Sequence, residues 1–450
     1  MKLGRAAAVA VAAGAVALLL AAATVVWLNR DDALEPAPVP TNADAARDLL
    51  ARGEYLVRAG SCLGCHTEPG EPAYAGGRAI ETPFGIVHAP NLTPDTATGL
   101  GAWSSDDFWR ALHNGRSRDR RLLYPAFPYP NYTRLMRADA DAMFAYLKSL
   151  APIAKANKPH ALAFPFDQPA ALAVWRALFF RPGRFEIDAQ RTPQWNRGAY
   201  LVETLGHCNA CHSRRNVFGA TAGPLDLAGG LIPIQNWYAP SLKDNAEAGV
   251  GDWPDAEVVA LLKTGVSALG STQGPMAEVV AGSTQFLSDA DVAAMASYLR
   301  SLAPAATRAA AQPAVGGSGQ TTTGLATTRA AATTATASTA RDRGAELYAT
   351  HCAACHGDDG AGVVGAYPRL AGNRAVMLSP PANLVHMIRQ GGFPPVTAGN
   401  RRPFGMPPYA TVLSDDDIAK VLTHLRSSWG QNGAPVSTLE VSRYRGTAAR

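Results

Sequence analysis

Apolar residues recur three and four positions apart in two kinds of segment, and each kind occurs three times along the chain. An opening segment sets Gly53, Leu56, Val57 and Gly60 on one helical face, and then Gly198, Leu201, Val202 and Leu205; a third copy, RGAELYATH, begins at Arg343. A closing segment carries Ala140, Met143, Phe144 and Leu147, then Val292, Met295, Ala296 and Leu299, then Ile418, Val421, Leu422 and Leu425. Acidic residues open these closing helices in DADAM, SDADVAAM and SDDDIAKV, where unpaired N–H groups and the helix dipole favour them. The leading glycine of each opening segment lets another helix approach closely. Between the two, WSSDDFWRALHNG from Trp103 and WPDAEVVALLKTG from Trp253 each predict a capped helix that stops near glycine. The pattern therefore predicts an all-α chain with three tandem domains, at 45–152, 191–304 and 341–445.

The joints differ. The run Ala6–Leu28 follows Lys2 and Arg5 and precedes Asp31, Asp32 and Glu35. At about 1.5 Å per residue it reaches about 34 Å, enough for the hydrocarbon layer. Residues 1–30 are thus an exported signal or a retained membrane anchor. Their length and an interfacial Trp27 favour the anchor, with the positive residues inside and the rest on the periplasmic side. The connector at 153–190 contains the words FPF and WRALFF, so it should pack, and Arg181, Arg184 and Arg191 read as a solvated face. By contrast, 305–340 is almost wholly Ala, Thr, Gly and Ser and predicts a flexible tether, with the third domain mobile relative to the first two.

Charge and cysteine usage decide the chemistry. The net charge of +5 is spread over loops with no Lys/Arg array, which excludes nucleic-acid binding. All 6 cysteines fall in three CxxCH words, Cys62/Cys65/His66, Cys208/Cys211/His212 and Cys352/Cys355/His356. Structural zinc would need further ligands that only histidines and carboxylates could supply, and a thioredoxin-like motif does not call for three copies. Three covalent haem c groups account for every cysteine, each thiol bonded to the porphyrin and each histidine to the iron. A proline carbonyl, from Pro90, Pro240 or Pro368, can accept the histidine Nδ1 proton and orient the ring. Met276, in GPMAEVV, and Met406, in FGMPPYA, suit the sixth positions of the second and third irons, both in loops before a closing helix. Met143 and Met295 read as packing residues, and His207 and His351 lie beside the attachment without reaching the far iron face. The first site carries Phe127 where Met406 would stand. Three answers stay open there: Met136 at the entrance of the closing helix, which is preferred, a histidine such as His88 or His113, or an open iron.

Four longer words, LLYPAFPYPNYT, NRGAYLVETLGHCNACHSRRNVFGA, GPMAEVVAGSTQFLSDADVAAMASYL and MPPYATVLSDDDIAKVLTHLRSSWG, give the chain a wider resemblance. Over roughly 45–445 it resembles the triple-haem cytochrome c subunit of bacterial membrane-bound dehydrogenases for alcohols, aldehydes, gluconate, sorbitol or fructose. The resemblance implies three class I-like cytochrome c domains and no oxidation of the organic substrate by this chain. It implies a separate catalytic subunit with pyrroloquinoline quinone, flavin or molybdopterin, a small accessory subunit, and membrane ubiquinone as electron acceptor. Attachment at the six cysteines, axial His66, His212 and His356, and ligands Met276 and Met406 carry over. Family members with PAMPY have methionine where this chain has Phe127, so Met136 rests on a departure from the pattern. Two other classes stand beside this reading: an independent haem enzyme with an open first iron, and a mobile periplasmic cytochrome.

Overall fold

The computed structural model describes residues 2–30, 42–223, 226–247, 249–302 and 342–445, and the predicted tether lies outside them. The chain divides into two compact units, one of residues 1–187, 203–207 and 215–220, the other of 188–202, 208–214 and 221–450.

The first unit begins with α1 (Lys2–Leu28), whose Ala7–Leu28 stretch is long and apolar enough to cross a membrane. After it come α2 (Ala43–Ala59), α3 (Cys62–His66), β1 (Ala79–Thr82), β2 (Gly85–His88), α4 (Ser105–Asn114), α5 (Tyr129–Tyr132), α6 (Arg137–Ser149), β3 (Ala161–Leu162) and α7 (Pro169–Phe179). The second unit takes in α8 (Pro193–Tyr200), which runs into a π-helical turn at Leu201–Leu205. It continues with α9 (Asn209–His212), the pair β4 (Gly230–Leu231) and β5 (Tyr238–Ala239), and α10 (Asp255–Thr264). The pair β6 (Val266–Ser267) and β7 (Gly270–Ser271) precedes α11 (Gly274–Gly282) and α12 (Asp289–Ser301). The last part holds α13 (342–351), α14 (Ala353–His356), α15 (Arg374–Met377), α16 (Ala382–Gln390), α17 (Asp415–Ser427) and α18 (Thr438–Arg443).

The all-α expectation needs one amendment. Helices carry the cores, but β1, β2 and β3 form an antiparallel sheet, and two further strand pairs tie later loops. Loops folded back on themselves satisfy their backbone N–H and C=O groups in short ladders.

Opening and closing helices cross at near-backbone contact. A Cβ added to Gly53 would lie 2.0 Å from the Ala142 carbonyl oxygen, one at Gly198 2.0 Å from that of Ala294, and one at Gly344 2.3 Å from that of Lys420. The arginine before each glycine meets the aspartate three residues before the touched carbonyl. Arg52 Nε donates to fully buried Asp139 at 2.8 Å, Arg197 Nε to Asp291 at 2.8 Å, and Arg343 Nε lies 3.9 Å from Asp417. The acidic openings of the closing helices thus do more than cap. Around the crossings the predicted stripes are buried, including Leu56, Val57, Met143 and Leu147, then Val202, Val292 and Met295, then Ile418 and Leu422.

The connector after 152 clings to the first unit only in part. Asn91 Nδ2 donates to the Ile153 carbonyl at 2.7 Å, β3 extends the sheet, and the Phe166 ring sits 4.5 Å from that of Phe84. Phe164, Leu178 and Phe179 remain on the surface. Within the second unit, 342–445 make side-chain contacts with the preceding domain. Asn383 Oδ1 accepts the Tyr238 N–H and its Nδ2 donates to the Tyr238 carbonyl, both at 2.8 Å, so one side-chain amide pairs like a strand. His386 Nε2 lies 3.1 Å from the Asn236 carbonyl with its ring stacked on Trp237.

Because Gly53 has no room for a methyl group, Gly53→Ala is expected to cost about 1–3 kcal/mol, the range for overpacked positions. Gly183→Ala, where nothing lies within 4 Å, should be near neutral. Denaturant unfolding of the two variants checks the difference.

Candidate haem sites

The three CxxCH words stand at different distances from the helix crossing, and the backbone absorbs the difference. Cys352, Cys62 and Cys208 follow Arg343, Arg52 and Arg197 by 9, 10 and 11 positions. The shortest run is plain helix up to 351. The first site accommodates one more residue by placing Ser61 at φ 52°, immediately before Cys62. The second accommodates two, with the π-helical turn and His207 at φ 37°. Non-glycine residues seldom adopt positive φ, and π-turns are concentrated at functional sites, so this chain bears local strain to present the motif.

Each motif histidine is held at two points. His66 Nδ1 lies 2.8 Å from the Pro90 carbonyl, His212 Nδ1 2.7 Å from that of Pro240, and His356 Nδ1 2.9 Å from that of Pro368. A carbonyl only accepts, so Nδ1 carries the proton and Nε2 keeps its lone pair. Each histidine's own carbonyl accepts a glycine N–H, from Gly76 at 2.9 Å, Gly229 at 2.8 Å and Gly362 at 2.8 Å. These glycines have φ of 74°, 78° and 66°, and a Cβ on any of them would press into the proline backbone. Sequence reasoning missed them. Their signal was an Ala-Gly pair after every motif, at Ala75-Gly76, Ala228-Gly229 and Ala361-Gly362.

The donors fit haem c. Desolvation outweighs the opposing pull of the proline carbonyl and draws all three histidines below the ordinary imidazole value, so burial keeps them neutral and able to ligate. Desolvation also pushes the Cys62 and Cys208 thiols up to about 12 and Cys352 to about 11. A redox dithiol needs a lowered value. None of the 6 cysteines is in a disulfide, and among the described residues no three His, Cys, Asp or Glu side chains converge to hold an ion by themselves. Two thiols and one free imidazole nitrogen per motif suit a porphyrin that brings its own four nitrogens.

The methionines sit in three different settings. Met406 is on an extended loop, exchanging hydrogen bonds of 2.8 and 3.0 Å with Gly392, and packs against the third core. Met276 is corrected from a loop to the first turn of α11, after Pro275. Met136 is the N-cap residue of α6, the place held by Ser288 in α12 and Ser414 in α17. Both serines accept from the backbone of the third helical residue; Met136 cannot, and the residue is 46% exposed. Phe127 packs against Tyr132 at 5.5 Å. His113 is buried, with Nδ1 2.7 Å from the Thr133 carbonyl and its ring on Trp109, while His88 Nδ1 lies 2.8 Å from the Pro159 carbonyl. His207 meets the Tyr132 ring edge-on at 5.7 Å.

The sequence profile of cytochrome c matches 50–151, 196–303 and 341–429, one CxxCH in each stretch. The chain belongs to the cytochrome c family. It is 37% identical to the cytochrome c subunit of an alcohol dehydrogenase (quinone) from Gluconobacter oxydans, over 90% of this chain and 84% of that one. It is 36% identical to the gluconate 2-dehydrogenase cytochrome c subunit of Pantoea cypripedii, over 87% and 88% of the two. It is 34% identical to the fructose dehydrogenase cytochrome subunit of Gluconobacter japonicus, over 90% and 84%.

In this cytochrome the docking of the third domain reaches the second site directly. Tyr238, gripped by Asn383, stands two residues before Pro240, the acceptor for His212. The helix that grips it, α16, ends at Gly391-Gly392, against Met406. A separate ion pair reinforces the docking: Arg374 Nη1 donates to Asp252 Oδ1 at 2.9 Å and to the Gly249 carbonyl at 3.0 Å. The Arg374 bond holds Asp252 below its ordinary 3.8, so its stabilising effect is complete above that pH and is lost as pH falls through the lowered value. Asp252→Asn should cost about 1 kcal/mol at neutral pH, as expected of a partly exposed pair. The gap from the unaltered protein should close in acid, read by denaturant unfolding across pH.

Proposed function

We propose that this cytochrome is the electron-transfer subunit of a periplasmic membrane-bound dehydrogenase complex, relaying electrons from a catalytic subunit through three covalent haem c groups to membrane ubiquinone. The observation that carries the reading is the threefold site, with each CxxCH histidine held between a proline carbonyl and a glycine N–H. The relatives named as cytochrome c subunits of alcohol, gluconate and fructose dehydrogenases support it over most of the chain. Haem supplies a one-electron couple when bound. Cys62, Cys65, Cys208, Cys211, Cys352 and Cys355 provide thioether sulfurs, and His66, His212 and His356 the proximal nitrogens. Their backbone clamps hold the imidazole plane, which limits reorganisation at the iron. Oxidation of the organic substrate belongs to the partner, with its pyrroloquinoline quinone, flavin or molybdopterin, and α1 anchors this subunit on the periplasmic face.

Met276 and Met406 supply the sulfur ligands of the second and third sites, and Met136 that of the first. A methionine at a helix N-cap gives up about 1 kcal/mol relative to serine. That cost has a reason if the thioether is needed by iron. Met136→Ala is expected to leave three attached haems by intact mass while one of three ferric low-spin signals becomes high-spin in electron paramagnetic resonance. Three unchanged signals would assign the ligand elsewhere.

Gentle solubilisation of the native membrane, with isolation through this subunit, tests the relay as a whole. A co-purifying large subunit that contains one of the three non-haem cofactors is expected. Repeated recovery of a stable tri-haem protein without any dehydrogenase would sink the assignment.

A further inference from the structure

The helix α7, PAALAVWRALF, is amphipathic the wrong way round for water. Its one ionisable side chain, Arg176, is buried, donating from Nε to Asn29 Oδ1 at 2.9 Å, with its guanidinium 4.7 Å over the Phe180 ring and 5.2 Å over that of Tyr129. The outward face is Val174, 45% exposed, Leu178, 64%, and Phe179, 37%. Phe218 extends this face: its ring lies 6.0 Å from that of Phe179, and its carbonyl accepts from Trp175 Nε1 at 2.9 Å. A contiguous apolar face of this kind marks contact with another apolar phase or partner.

The end of α1 identifies that phase. Asn29, one residue past the helix, is buried; its Nδ2 donates to the Ala173 carbonyl at 3.0 Å and to that of Val25 at 2.8 Å, while Arg116 donates to the Asn29 carbonyl. Val25 and Val26 line a crevice with Ala173 and Leu122. The exit of a membrane-length helix is thus bolted to α7 by two side-chain hydrogen bonds, Asn29 to the Ala173 carbonyl and Arg176 to Asn29, and α7 cannot stand away from the surface where α1 emerges. Trp27, in the last turn of α1, is exposed, as interfacial aromatics are, and Arg30, Arg116 and Arg120 line the same crevice as Val25, Val26 and Ala173.

We propose that α7 lies in the outer membrane–water interface with Val174, Leu178 and Phe179 in lipid, and that α1 and α7 form one retained membrane-binding element. This rests on the membrane-anchored reading above and specifies how the first haem-bearing domain is presented to the bilayer, and hence to a quinone dissolved in it. The polar clasp at Asn29 ties the span to the domain, a role that a cleaved leader does not have.

The test uses the full-length holoprotein, without the catalytic subunit, in phosphatidylcholine/phosphatidylglycerol vesicles. Since the native cysteines are bound as thioethers, Leu178→Cys offers one thiol for a nitroxide label; Val174→Cys gives a second position, Val16→Cys a reference within the span, and Val364→Cys a reference on an 89% exposed side chain. At 178 and 174, collision with oxygen should exceed that at 364 severalfold, and collision with a water-soluble nickel chelate should fall severalfold below it. Nickel access equal to that at 364, with intact mass showing residues 1–30 present, would overturn the α7 assignment and leave the anchor standing. An intact mass lacking 1–30 would overturn both, whereas the relay reading is judged by co-purification. Shielding that appears only after the catalytic subunit is added would make the face a protein-docking surface and refute lipid contact.

Discussion

Each CxxCH-bearing domain depends on one contact: a glycine on the opening helix set against a backbone carbonyl of the closing helix. At 2.0–2.3 Å from a notional Cβ, the crossing admits no side chain, so helix separation is set by backbone thickness. The neighbouring Arg–Asp pair locks the rotation of one helix on the other, with Asp139 fully buried beneath Arg52. With this joint fixed, the end of the opening helix delivers CxxCH to one place, and the intervening loop must return beneath the histidine before the closing helix starts. The loop then needs a left-handed glycine, because its chain passes under the histidine's carbonyl and against the proline that accepts Nδ1–H.

The three sites share this frame and differ where the frame leaves slack. Spacings of 9, 10 and 11 residues are met by a straight helix, a left-handed serine, and a π-turn with a left-handed histidine. The residue at the N-cap of the closing helix is serine twice and methionine once, an exchange that weakens local structure and gains a soft donor. Domain docking adds a second tier of control. Asn383 grips both backbone groups of Tyr238, two residues from the carbonyl that orients His212, so the position of the third domain bears on the geometry of the second site.

A second constraint acts at the end of α1. Asn29 fastens the last turn of α1 to α7, and burial of Arg176 by Asn29, Tyr129 and Phe180 turns the apolar side of α7 outward. Here the preference of a charged group for a hydrogen-bonded, aromatic-lined niche decides which face of a short helix meets the surroundings.

What could be read from residue order alone was what depends on near neighbours. The three CxxCH words, the stripes three and four apart, the crossing glycines and the apolar run of α1 are local patterns, and covalent geometry and helical period translate them directly into attachment, packing face and span length. Even the proline acceptors were legible, since each follows its histidine before the next helix of its domain begins. The pairing of Arg52 with Asp139 and of Asn383 with Tyr238, the helical setting of Met276, the docking of the third domain and the inverted face of α7 were not. Apart from the setting of Met276, each depends on groups up to 147 residues apart meeting in space, where hydrogen bonding and burial select one arrangement from many that the local pattern allows. The composition of 305–340 speaks only for the tether itself, whereas the contacts between 342–445 and the preceding domain lie on surfaces that the tether does not contain. Sequence determined where the CxxCH groups stand and which helices form; tertiary structure decided how those groups are held, because orientation depends on contacts that no stretch of chain holds within itself.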